Sequence, residues 1–251
     1  CLLQGDLLLA IQGFDPSFTM QVYSIKDPQN PVFLGASPTI NYNLPFDLQA
    51  TASHAFVVQF QYCFFLGSNQ IFLQTGDLLS LALNLDNPAN PTVANPALLN
   101  VLFNNNGDSL PAPGDTSGCS ANGGNNNIRQ MAQADAQTAL LASTTATGSV
   151  TTGLGRVFSV DISNPAQLNV VNELLIPGTV QTMGIAIDSA SKRALVIGST
   201  GGLNSGGDIL LTGNLAFTVL DVSNPRAPQI LGSRTTSLPA RTFWTSLSAL
   251  G

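Results

Sequence analysis

Charge is what this sequence has least of. Asp, Glu, Lys and Arg make up 9% of its 251 residues, where a globular chain has about a quarter. The lysines are Lys26 and Lys192, the one glutamate is Glu173, and the net charge is −6. Binding nucleic acid through its phosphates takes a basic stripe, and the sequence has none. The same deficit disfavours an anionic membrane surface. No apolar run approaches the roughly 18 residues of a membrane-spanning helix. The opening CLLQGDLLLAIQGF contains Asp6 and lacks the basic flank of a signal peptide.

Cysteine is scarce too. Cys1, Cys63 and Cys119 are odd in number and show no C-x-x-C spacing, so neither a zinc site nor a disulfide framework is indicated, although one pair is open to form. A first residue that is cysteine fits a mature lipoprotein and fits a fragment boundary equally. Sustained helical periodicity is also missing. Apolar residues, at 44%, are near the ordinary share, which rules out disorder for the bulk of the chain. Asn, Thr, Ser and Gly fill the space that charge leaves. That composition leads us to expect an extracytoplasmic protein, whether secreted, periplasmic or on the cell surface.

What the sequence does have is a repeat. Val160-Asp161-Ile162-Ser163-Asn164-Pro165 returns as Leu220-Asp221-Val222-Ser223-Asn224-Pro225, with weaker copies at Tyr23–Pro28 and Asn84–Pro88. Pro28, Pro88, Pro165 and Pro225 are spaced by 60, 77 and 60 residues, and each interval holds four short apolar, strand-like runs. That is the pattern of a β-propeller blade. Asp27, Asn87, Asn164 and Asn224 precede the prolines. Their side chains are placed to accept from the backbone two residues on, and proline presets φ for the next turn position. Each motif is therefore the turn between a blade's third strand and its outermost one. Asp161 and Asp221 are read as braces of those turns.

An apolar strand, then D-[IV]-S-N-P, then P-x-I-L-G-S resembles the LVIVD-type repeats of bacterial surface and secreted β-propellers. The resemblance is best at 157–178 and 215–236. At the first two motifs Ser24 and Asn84 stand for the aspartate, and Lys26 and Asp86 for the serine. It implies a propeller fold and no common reaction. The expected architecture is all-β: one domain, residues 1–251, of four repeats of four antiparallel strands. The 28 residues up to Pro28 and the 26 after Pro225 together make nearly one more repeat. The N-terminus thus reads as starting at a second strand, with Thr242–Leu250 (including Trp244) as the innermost strand that closes a four-bladed ring. The alternative is a four-blade portion of a larger propeller.

In an up-and-down blade the first-to-second and third-to-fourth turns share one face, and these are all short here. The long connections, Gln61–Thr75, Asn100–Asn127, Ala146–Leu154 and Thr200–Gly213, gather on the other. Binding groups concentrate on long loops held by a rigid scaffold. Phe64, Phe65, Phe103, Asn104, Asp108, Asp115, Asn204 and Asp208 are the candidate ligand-binding residues. Phe64, Phe65 and Phe72 also read as the packing of an extra hairpin on the second blade. Asn104–Asp108 and Asp115 offer oxygen ligands of the kind Ca²⁺ takes, but without EF-hand spacing, so a polar loop and no cofactor is the reading. His54, the one histidine, falls at a short turn and is read as structural or solvated. G-x-S-x-G, H-E-x-x-H and Walker A sequences do not occur. The function expected is a non-enzymatic binding or structural propeller that recognises protein or glycan. The alternative is a hydrolase or lyase using Asp47, Asp135 and Asp188 near the central channel.

Overall fold

The computed structural model describes residues 2–14, 17–41, 44–51, 54–64, 71–84, 87, 92–98, 126–147, 149–201 and 213–240. Among them no helix occurs, and the strands fall into four antiparallel sheets in chain order. The first holds β1 (Leu2–Gln4), β2 (Leu7–Phe14), β3 (Ser17–Ser24) and β4 (Val32–Ala36), with β5 (Ile40–Asn41) also on β3. The second holds β6 (Leu44–Ala50), β7 (His54–Phe64), β8 (Ile71–Asn84) and β9 (Thr92–Leu98). The third holds β10 (Asn126–Gln133), β11 (Thr138–Thr147), β12 (Ser149–Asp161) and β13 (Asn169–Leu175). The fourth holds β14 (Gln181–Asp188), β15 (Arg193–Ser199), β16 (Asn214–Asp221) and β17 (Gln229–Pro239). This is the expected all-β series of four antiparallel sheets, each called a blade below.

Three expectations need correction. The first sheet does not begin at a second strand, because Leu2–Gln4 pairs with Leu7–Leu9 in the innermost place. Three residues of strand were too short to stand out ahead of the apolar run that follows. Residues 146–154 are not a long loop: β11 and β12 stay paired through Thr145↔Leu154 and Ala146↔Gly153 to Thr147↔Ser149. The Thr-rich composition of that stretch suits a two-faced polar hairpin as well as a loop. Asn126 and Asn127, read as the end of a loop, already pair with Thr145 and Thr144. The extra hairpin of the second blade is present, with Tyr62↔Leu73, Cys63↔Phe72 and Phe64↔Ile71 in register.

Second strands show why the blades stack. Side chains alternate across a strand, and here both faces are buried. On β7, Ala55 and Val57 join Leu9, Phe18, Met20 and Val22 of the first sheet, while Phe56 and Val58 join Met131, Leu141 and Phe158 of the third. On β11 the same division sends Ala139 and Leu141 toward the second sheet, and Leu140 and Ala142 toward Ile185, Val196 and Leu220 of the fourth. Fully burying one such side chain contributes about 1.5–3 kcal/mol. The continuous apolar runs of the second strands, flanked by more polar outer ones, are thus what makes blades pack face to face.

Candidate functional site

The blades have two chemically different ends. At one, the turns between first and second strands meet those between third and fourth. Ile25 N donates to Asp6 O at 2.8 Å, Ile162 N to Gln137 O at 2.8 Å, and Val222 N to Lys192 O at 3.0 Å. The Asn-Pro turns form as their residue types dictate: Asp27, Asn164 and Asn224 accept through side-chain oxygens from the N–H groups of Gln29, Ala166 and Arg226 at 3.1, 3.3 and 3.3 Å. Asn87 is exposed. Asp161 Oδ1 accepts from Ser163 N at 2.9 Å and Ser163 Oγ at 2.6 Å, and Asp221 Oδ1 from Ser223 N at 2.9 Å.

The fourth blade's turn also docks on the third blade. Arg226 Nη1 donates to Asp161 Oδ2 at 2.9 Å, and Ser159 Oγ donates to the Pro225 carbonyl at 2.7 Å. The Ser163 hydroxyl and N–H, and then Arg226, hold the Asp161 carboxyl down at about 2. Asp221 is lowered by its Ser223 bonds first, with Arg193 Nη1 3.0 Å away adding to them.

Asp135 and Asp188, candidates for channel chemistry, stand exposed in this set of turns. Asp135 Oδ1 accepts from Gln137 N at 2.8 Å. Asp188 accepts from Ala190 N at 3.0 Å and Ser191 Oγ at 2.5 Å, and the serine hydroxyl leads in lowering its pKa. Asp47 differs. It lies on the innermost strand β6, with Oδ2 accepting from Met131 N of β10 at 3.0 Å. Burial pushes its carboxyl upward, against the Met131 and Leu48 N–H groups that favour the anion. His54 is half-buried, its pKa lowered by that burial, and its N–H donates to Thr51 Oγ1 at 3.1 Å.

At the opposite end the chain leaves described strands at Phe64 and Leu98, and beyond β15 at Gly201. It returns at Ile71, Asn126 and Gly213. Toward this end of the third and fourth sheets lies a buried polar layer of Ser143, Thr179, Gln181, Thr182 and Ser199. The connection from third to fourth blade turns at Gly178 (φ 70) and runs Thr179 between β12 and β15. Gly155 N donates to Thr179 O at 2.9 Å, and Val180 N to Ser199 O at 2.8 Å. Thr182 Oγ1 donates to Ser143 O. Arg156, paired with Glu173, faces Ser143 in register. The Ser143 hydroxyl and Arg156 Nε are buried without a hydrogen-bond partner among the described residues. Nothing in the sequence marked these two, because their pairing is set by register across the hairpin.

Of the predicted ligand-binding residues, Phe64 ends β7 opposite Ile71. Phe65, Phe103, Asn104, Asp108, Asp115, Asn204 and Asp208 lie outside the described residues, as do Thr242–Leu250, Cys1 and Cys119. No group of His, Cys, Asp or Glu able to hold a metal occurs among the described residues. No helix among them is long and apolar enough to cross a membrane.

Residues 158–175 and 212–236 match the LVIVD repeat, one copy on β12–β13 and one on β16–β17. No curated protein matches the chain. Similar solved structures include a hypothetical selenium-binding protein from Sulfolobus tokodaii, at 10% identity and TM-score 0.46 over 91% of this chain and 51% of that one. A functionally unknown protein from Desulfotomaculum acetoxidans is similar at 8% identity and TM-score 0.41, over 94% of this chain and 69% of that one. An apocarotenoid oxygenase from Synechocystis is similar at 10% identity and TM-score 0.45, over 92% of this chain and 46% of that one. The chain thus spans about half the length of the first of these. Likenesses at this level carry nothing about ligand or chemistry.

Proposed function

We propose that this chain is a non-enzymatic binding propeller of the extracytoplasmic space, secreted, periplasmic or cell-surface, that recognises a protein or glycan through the end where its long connections leave. The observation that carries this reading is the contrast between the ends. The short-turn end spends its polar groups on itself, turn by turn, whereas at the other end the chain exits lie at Phe64, Leu98 and Gly201, and the third sheet holds two buried donors with no described partner. The hydrolase or lyase alternative draws no support from Asp47, Asp135 and Asp188, each of which holds scaffold. Low Lys and Glu supports the location. Replacing residues 104–124 with a short Gly-Ser link tests the reading, since loop length costs stability only slowly. The thermal midpoint should hold, while capture of partners from an extracellular fraction, or of glycans on an array, should fall. Unchanged capture, or capture lost instead through the Asn-Pro turns, would move the functional surface to the other end.

We also read the four blades as a closed ring. β1 covers only Leu7–Leu9 of β2, and Thr242–Leu250 has the composition to take the rest of that innermost place. A chain ending at Pro239 should then expose an apolar strand edge, melt well below the full chain and aggregate. A monomer with unchanged melting would mean that the ends do not meet.

A further inference from the structure

Innermost strands of successive blades meet at matched irregularities. Each of β6, β10 and β14 carries a bulge, at Pro45/Asp47, Ile128/Gln130 and Thr182/Gly184. The residues that close them, Asp47, Gln130 and Gly184, stand opposite Val58, Ala142 and Ile197 in register. A bulge breaks the ladder locally and re-aims a side chain. Here it aims one acceptor at the next blade. Asp47 Oδ2 takes the N–H of Met131, the residue after Gln130, at 3.0 Å. Gln130 Oε1 takes the N–H of Ile185, the residue after Gly184, also at 3.0 Å. The same bond is made twice at equivalent positions, once by a carboxyl and once by an amide.

We propose that the junction between the second and third blades is a proton-sensitive joint that tightens when Asp47 becomes neutral, while the equivalent junction between the third and fourth blades, built on Gln130, is indifferent to pH. Taking a carboxylate out of water disfavours its charged form, and this cost outweighs the two N–H groups that favour the anion. The native carboxyl therefore binds its proton more readily than the unfolded one. Its contribution to stability is present below the ordinary carboxylate range and is lost as pH rises through the raised native value. β1, β2 and β3, which pack on β6, carry no charged residue, Tyr23 being their one titratable group. By sequence β7 carries His54, at the short-turn end, Tyr62 and Cys63; β8 carries Asp77 and β10 carries Arg129.

The experiment is amide hydrogen exchange on the full chain across acidic to neutral pH, corrected for intrinsic rates, with thermal midpoints alongside. Protection of the Met131 amide relative to that of Ile185 should rise several-fold on acidification. Asp47→Asn, which puts at this joint the amide already in use at Gln130, should remove that dependence and raise the midpoint at neutral pH, with the gain shrinking as pH falls. Gln130→Glu should hand the same dependence to Ile185. A Met131-to-Ile185 ratio that stays flat with pH, or a dependence that survives in Asp47→Asn, overturns the proposal. Should Gln130→Glu fail to fold, the wild-type and Asp47→Asn profiles decide it alone.

Discussion

The two ends of each blade are held by opposite means. At the short-turn end bonds are local: Asp161 reaches Ser163, Asn164 reaches Ala166, and Asp188 reaches Ser191. At the other end Thr179 is held by Gly155 on one blade and lies against Gly198 on the next, with the following residue bonded to Ser199. Local bonds depend on which residues are neighbours in sequence, so they tolerate change elsewhere. The threaded connection depends on surfaces brought from far apart, so it tolerates almost none. A binding surface gains from resting on the second kind, because its floor is fixed by both blades at once.

The most damaging way to break this contrast is Gly198→Ala. A Cβ there runs into the Thr179 methyl and the Gln181 backbone carbonyl, and the carbonyl, being backbone, cannot swing aside as a flexible side-chain end would. Overpacking of this kind costs about 3 kcal/mol, read as a lowered urea midpoint. Gly232→Ala on β17 is the control, since nothing lies within 4 Å of the Cβ it would add. Its midpoint should barely move. Equal effects at the two glycines would erase the distinction between the ends.

At the short-turn end Asp161→Asn should cost less, about 1 kcal/mol after allowing for solvent screening. Asparagine keeps an acceptor for the Ser163 N–H and gives up the charge that Arg226 binds. Because the native carboxyl is held down at about 2, its stabilisation is present above the ordinary carboxylate range and is lost as pH falls toward that value. The gap between wild type and variant should therefore close in acid, followed by thermal melting. Asp221→Asn should act in the same direction but less, since Arg193 sits on the same blade and links nothing across the junction. A larger effect at Asp221 would show that bracing within a blade outweighs latching between blades.

The same contrast explains what could be read from the sequence. Four strand runs per repeat, the Asn-Pro turns, the role of Asp161 and the hairpin around Phe64 were legible, since each rests on spacing or on a bond to a near neighbour. Gln130 was not, because its partner Ile185 lies 55 residues on. Nor were the need for glycine at 198, set by a connection from another sheet, or the pairing of Ser143 with Arg156. Asp47 was noticed as a carboxylate near an innermost strand. Its bond to Met131, 84 residues away, is what assigns it to the scaffold.

Apart from β5, every strand pairs with its neighbour in the chain. Each sheet therefore closes by successive hairpins. On a ribosome the first sheet can assemble before the second has been made, and so on along the chain. The bonds from Asp47 and Gln130, like those of Ser159 and Asp161 to the Pro225 turn, must wait for the next unit to arrive. Synthesis order and spatial order are thus the same.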